Sequence, residues 1–158
     1  MSFATFSGPL RVGTNRYNPG RNTGLVVLSQ SYDTGVVTAG AGNVDAQMGI
    51  IPAGSQIANI LIDQVVVPGG SSTSTISVGS TSGGAELSAA VATTAGGRFT
   101  GTTTAATQLA WQTSTTADTP LWVRYTVGTA AGVGRAIITV VYIQRNSDGA
   151  QNPTTFQN

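Results

Sequence analysis

The sequence predicts an all-β chain: an antiparallel two-sheet sandwich, best suited by a jelly roll, with an extended N-terminal arm. Three observations predict it. Short apolar runs recur at a spacing of roughly 10–15 residues, each closed by Gly, Pro, Asn or Asp. The 158 residues include 21 glycines and are rich in Thr and Ser, a composition that disfavours helices. Two long runs, Gln56–Val67 and Ile137–Ile143, are apolar at successive positions, as expected of strands buried on both faces in the middle of a sheet. No repeat of roughly 20–50 residues is present, so a solenoid or propeller is not expected. An immunoglobulin-like sandwich is the alternative, although the Cys–Trp–Cys core marker is absent.

In chain order, residues 1–23 form the arm. Gly8-Pro9, Gly13 and Asn18-Pro19-Gly20 interrupt any regular element there, and few large apolar residues accompany them. Residues 24–145 form the sandwich. Leu25–Tyr32 is its first strand, closed by Asp33-Thr-Gly35, and Val44–Ile51 is a weaker one, ended by Pro52-Ala-Gly54. Gln56–Val67 is the clearest strand and stops at Pro68-Gly-Gly70. Thr73–Val78 alternates, with Ile76 and Val78 inward and hydroxyls outward. Glu86–Ala92 suits either a strand or a helical turn, Arg98-Phe99 is flanked by glycines, and Gln108–Gln112 reads as a further β run. Leu121–Val127 places Leu121, Val123, Tyr125 and Val127 on one face, and Trp122, Arg124 and Thr126 on the other. Arg135–Arg145 is the last strand, and residues 146–158 form a polar tail with little to pack. The total is about eight strands and no helix.

Several chemistries are closed by composition. The chain has no Cys and no His, and all seven of its cations are Arg, so it has no Lys. Thiol nucleophiles, disulfides, thiolate metal sites and imidazole bases are therefore excluded, as are Schiff bases and a phosphate-loop lysine. A net charge of +1 provides no long-range field for nucleic acid or an anionic membrane. No apolar run approaches the roughly 18 residues of a membrane span, and the first residues lack the pattern of a secretory signal. No cofactor and no nucleic-acid or membrane partner is expected.

The six acids are Asp33, Asp45, Asp63, Glu86, Asp118 and Asp148. Asp33, Asp118 and Asp148 stand in turn contexts, and Asp63, interrupting an apolar strand, reads as a cross-strand partner for an arginine. A carboxylate pair for glycoside hydrolysis is not signalled. Asn146–Gly149 has too few carboxylates for calcium, and Gly128–Gly134 reads as a hairpin connection between two strong strands. Trp111, Trp122 and Tyr142 are large amphipathic aromatics, suited to the core or a subunit contact and, if exposed together, to stacking on sugars. Arg11, Arg16 and Arg21, with no acid before Asp33, form the only local charge bias.

Charged residues make up 8% of the chain, against about 25% in an average domain. Such a surface is short of the mixed charge that keeps monomers apart, whereas interfaces favour Arg over Lys and Glu. The surface reads as one built for assembly. At this point the residues are similar to a known group. Gly49-Ile-Ile-Pro-Ala-Gly-Ser-Gln-Ile57, Ser74–Gly79, Thr119–Thr126 and Gly134–Tyr142 together resemble capsid decoration (cement) proteins of tailed bacteriophages, over about residues 49–145. The resemblance implies a non-enzymatic virion protein on the outer capsid surface, made in the bacterial host cytoplasm. It further implies a homotrimer that clamps adjacent subunits of the major capsid protein. Contact residues expected on this reading are Arg11, Arg16, Tyr17 and Arg21 in the arm, with Trp122 and Arg124 in the sandwich. A tail or fibre component that binds carbohydrate through Trp111 or Trp122 is the other reading.

Overall fold

The computed structural model describes residues 26–38, 42–68, 74–102, 104–112, 117–128 and 133–144. The expected arm, the polar tail and Asp148 lie outside them. Among the described residues, nine strands and one helix follow in order. They are β1 (Val26–Asp33), β2 (Val37–Thr38), β3 (Gly42–Ile51), β4 (Ser55–Val66) and β5 (Thr75–Gly79). After these come β6 (Ser88–Ala92), β7 (Gly97–Thr100), α1 (Ala105–Gln112), β8 (Thr119–Val127) and β9 (Val133–Gln144).

The strands form two antiparallel sheets. One has the order β1-β9-β4-β7, with β2 also pairing β9, and the other has the order β3-β8-β5-β6. The pairings β1–β9, β3–β8, β4–β7 and β5–β6 are nested, so the chain behaves as one long hairpin rolled on itself. The two long strands with apolar residues on both faces, β4 and β9, are interior strands of their sheet, as expected from their sequence. Alternation aims Ile60 and Ile62 of β4 and Ile138 and Val140 of β9 into the core, where all four are fully buried. Ile76 and Val78 of β5 and Leu121, Val123, Tyr125 and Val127 of β8 meet them from the other sheet. Each fully buried aliphatic side chain contributes roughly 1.5–3 kcal/mol, which makes this two-sided layer the main source of stability.

Two expectations are corrected. Gln108–Gln112 is not a strand but the second half of α1. Leu109 and Trp111 alternate, which imitates a strand over five residues. The buried positions are Thr107 and Trp111, four apart and hence on one helical face. Thr104 starts the helix: its hydroxyl accepts from Thr107 N–H (3.2 Å) while Thr104 N–H donates to Thr107 Oγ1 (2.6 Å). That reciprocal pair is a capping box with Thr in place of Glu. The second correction concerns Gly128–Gly134, which does not close a hairpin. β8 and β9 belong to different sheets, so this segment crosses the sandwich.

β1 and β3 are the edge strands on one side, and a side chain ties them together. Gln30 of β1 donates through Nε2 to Ile50 O (2.7 Å) and accepts through Oε1 from Ile50 N–H (3.1 Å). Its amide thus does for the β3 edge what a neighbouring strand would do. Gly49 makes room for it, because a Cβ there would lie 1.8 Å from Gln30 Oε1. Gln30→Ala and Gly49→Ala are each expected to cost about 1 kcal/mol, and the double variant about the same as either alone. Denaturant midpoints of the three variants check this; additive losses would mean that the amide does not hold the edge.

Candidate interaction surfaces

The outward face of the β3-β8-β5-β6 sheet carries both sandwich residues expected to make contacts. On β8, Trp122, Arg124 and Thr126 point outward, opposite Gln47, Asp45 and Asn43 of β3. Trp122 is half-buried. Arg124 is held by the fold itself: its Nε and Nη2 donate to the two oxygens of Asp45 at 2.7 and 2.8 Å. Ser82 Oγ adds a bond to Asp45 Oδ2 (2.9 Å), bringing the β5–β6 loop over the pair. Gly83 sits at φ +76 against the guanidinium, and a Cβ there would lie 2.2 Å from Arg124 Nη2. The loop is also fastened by Glu86, whose carboxylate accepts from Ser80 N–H (2.7 Å) and from the Ser80 hydroxyl. Burial pushes the Glu86 carboxyl up, but these bonds and local backbone N–H groups outweigh it and leave the group below its ordinary value.

The other outward face, on the β1-β9-β4-β7 sheet, repeats the device twice. Asp63 of β4 stands directly opposite Arg98 of β7, as its place in an apolar strand suggested, with bonds of 2.6 and 3.1 Å. Asp33 at the end of β1 takes Arg135 of β9 while its Oδ1 also accepts from Gly35 N–H (2.9 Å), the turn role read from the sequence. Two residues before Asp33 on the same face, the Ser31 and Thr139 hydroxyls bond across strands at 2.8 Å. Planar two-point contacts of this kind need the guanidinium fork, which explains why these cations are arginines.

Two of these pairs, Asp33–Arg135 and Asp45–Arg124, make the fold sensitive to acid. Hydrogen bonding from Arg135, then from Gly35 N–H, lowers the Asp33 carboxyl from its ordinary 3.8 to about 2. Hydrogen bonding from Arg124 holds Asp45 below its ordinary value in spite of partial desolvation. A carboxyl depressed in the folded state adds stability that is complete above its unfolded pKa and is lost as pH falls through the folded one. The expected result is a denaturant midpoint that is level above about pH 4 and falls toward about pH 2, with a smaller fall in Asp33→Asn and Asp45→Asn. Variant curves parallel to the parent would show that the pairs do not carry the dependence.

Trp111 is not available for sugar stacking: it is buried, and its Nε1–H donates to Leu87 O at 2.6 Å. Tyr142 is buried as well, its hydroxyl accepting from Gln30 Nε2 at 3.2 Å. Beside Trp111 lies a cavity of about 30 Å³ lined by Ile51, Ser55, Ile57 and Leu87, room for a water and too small for a sugar. Asp118 accepts from Ala53 N–H at 2.9 Å, fixing the turn between β3 and β4. Every described acid is thus engaged in holding the fold, and among the described residues no group of three His, Cys, Asp or Glu could hold a metal. Arg11, Arg16, Tyr17 and Arg21 lie outside the described residues. Gln30 escaped the sequence reading. Its signal was a polar residue at an inward position of a strand, between Leu28 and Tyr32.

The architecture has known counterparts. A chain in the capsid of Ralstonia phage GP4 is similar with a TM-score of 0.59 and 22% identity, covering 77% of this chain and 86% of that one. A chain in the cyanophage Pam1 capsid asymmetric unit is similar with a TM-score of 0.53 and 20% identity, covering 89% of this chain and 98% of that one. No protein-family model matches the sequence, and no curated protein does either. The chain therefore shares a two-sheet antiparallel sandwich with components of two phage capsids.

Proposed function

We propose that this protein is a non-enzymatic structural component of a bacteriophage virion that decorates the capsid and braces adjacent major capsid subunits. The observation that carries the reading is the likeness to chains of two phage capsids, which spans nearly their whole length as well as most of this one. The match is to an entire small component and not to a fragment of a larger chain. We further read the sandwich as a jelly roll, with β2 as an accessory to β9. The four nested antiparallel pairs are what rolling one long hairpin produces.

Chemistry supports the assembly role. Among the described residues, three acids and all three arginines are spent on cross-strand pairs and the other two acids, Glu86 and Asp118, on backbone N–H groups. Ser, Thr and Gly pack closely and add hydrogen bonds without burying charge, which suits permanent contacts. As a homotrimer on the outer capsid surface, the protein would engage several shell subunits at once, so that weak individual contacts add up through avidity. Trp122, half-buried on the outward face of β8, is the sandwich residue we propose to contact a neighbour. Arg124 serves that face by holding the loop beside it, and Arg11, Arg16, Tyr17 and Arg21 are the contacts proposed for the arm.

The test is copy number in purified virions, by quantitative mass spectrometry against the major capsid protein. A count comparable to the shell subunits is the expected result. A count far below it would move the protein to the tail or a fibre, and absence would end the virion reading.

A further inference from the structure

β9 is apolar on both faces, yet the fold buries only one of them. Ala136, Ile138, Val140 and Tyr142 point into the core, which turns Val133, Ile137, Val141 and Ile143 to the outer side of the β1-β9-β4-β7 sheet. On β4, Leu61 stands opposite Thr139 and Val66 opposite Arg135, so both share that outer side. Val133 is 40% exposed and Val66 39%, and the other four aliphatics are half-buried. Among the described residues no third layer covers this face. The second sheet lies on the inner side, and so does the anchor of α1, where Trp111 lines one cavity with Ile51 and Leu87. The outward face of the second sheet is unlike it, being polar along Asn43, Asp45, Arg124 and Thr126 and overlain by the β5–β6 loop.

The charges on the aliphatic face cancel within it. Ile137 stands between Asp33 of β1 and Asp63 of β4 in one row across three strands. Each of these acids is held at two points by an arginine of the same face, Arg135 for Asp33 and Arg98 for Asp63. In the next row the Ser31 and Thr139 hydroxyls bond each other. Two acids and two arginines leave the face without net charge, and a paired ion costs less to take out of water than a lone one.

We propose that the outer face of the β1-β9-β4-β7 sheet packs on a second copy of this chain and is the subunit contact of the homo-oligomer. The inference rests on the assembly reading and deepens it by naming the face through which copies meet. Area, charge and timing select the occupant. With strands about 4.8 Å apart and a rise of about 3.3 Å per residue, the face measures about 600 Å². Covered by a partner, it takes about 1,200 Å² of surface out of water, which reaches the size of a stable specific interface. A face of one sign would call for an oppositely charged partner, whereas a neutral one lets like chains approach without repulsion. Monomers rarely leave so large an apolar face bare. The chain meets its own copies from synthesis onward and a shell only once one has been built, so a second copy is the cover at hand. In a ring of three, each copy offers this face once and receives its neighbour's once, and the contact closes.

Sedimentation of the full chain over a range of concentrations reads the contact, and binding to purified heads lacking this protein reads the decoration role separately. The parent is expected to sediment as an oligomer. Val141→Arg places a charge between Ser29 and Asn59 in the middle of the face and is expected to raise the subunit dissociation constant roughly a hundredfold. Ile137→Thr/Val141→Thr keeps β-branched side chains, and with them the strand, and is expected to raise it roughly thirtyfold. Circular dichroism like the parent's establishes that each variant is folded. A parent that stays monomeric overturns the contact, and the decoration role stands if that monomer binds heads. Folded variants that both keep the parent's mass overturn this face as the contact. A monomeric parent whose head binding is lost in Val141→Arg identifies the shell as the occupant and overturns the second copy. An oligomeric parent that dissociates in the variants but never binds heads leaves the contact standing and ends the decoration reading.

Discussion

Gly134→Ala is expected to destabilise the sandwich by about 3 kcal/mol, a fall in melting temperature on the order of 10 °C. Gly134 lies in β9, paired with Val37 of β2, and faces the core. A Cβ on it would sit 2.2 Å from the Tyr125 hydroxyl and 2.7 Å from Pro68 Cγ. Neither neighbour can step aside. Tyr125 is 1% exposed, and its hydroxyl accepts from Gln64 Nε2 at 2.7 Å, while Gln64 is itself buried and donates to Val66 O at 2.6 Å. Tyr125→Phe alone should cost about 1 kcal/mol through the lost bond. In the Gly134→Ala/Tyr125→Phe double variant the worst contact is gone, so the loss should fall short of the sum by at least about 1 kcal/mol. Urea unfolding of the four proteins measures that coupling. Strict additivity would show that β9 shifts to admit the methyl and that Tyr125 is not the obstacle.

The same site shows what could be read from the sequence. The alternation in Leu121–Val127 places Tyr125 inward, and Ile76, Val78 and the long β4 and β9 runs are equally plain, because a strand with a buried face has a period of two that composition cannot hide. Even Asp63 announces a cation opposite. What alternation cannot give is the partner. Arg98, Arg124 and Arg135 find their carboxylates at separations of 35, 79 and 102 residues, fixed by which strands lie side by side. Strand order is also why Gly128–Gly134 misleads: two strong strands joined by a glycine-rich segment look like a hairpin, and only their pairings elsewhere show a crossing. The Trp122 face was legible as a face, but the loop that Arg124, Ser82 and Gly83 bring over it was not, since it depends on a positive φ and a side-chain bond between distant elements.

The helix is the element the sequence concealed, and its anchor offers the other large effect. Trp111→Ala is expected to cost about 4 kcal/mol, within the range for emptying a buried aromatic site. Trp111 packs against the core beside Leu87, and its Nε1–H bonds Leu87 O at 2.6 Å, so removal leaves both a void and an unpaired carbonyl. Trp111→Phe keeps most of the volume and loses only the bond, for about 1–2 kcal/mol. Fluorescence separates these changes from a general loosening, because the chain has two tryptophans. The parent spectrum sums a buried Trp111 and a half-buried Trp122, so the Trp111→Phe variant should emit further to the red, and Trp122→Phe further to the blue. A loss below about 1 kcal/mol in Trp111→Ala would mean that the two sheets hold the core without α1. The anchor itself predicts otherwise, since the eight-residue helix is too short to persist in water unless something fastens it. Trp111 is the residue that fastens it, and without it the Ala105–Gln112 segment should become the first part of the fold to open to protease.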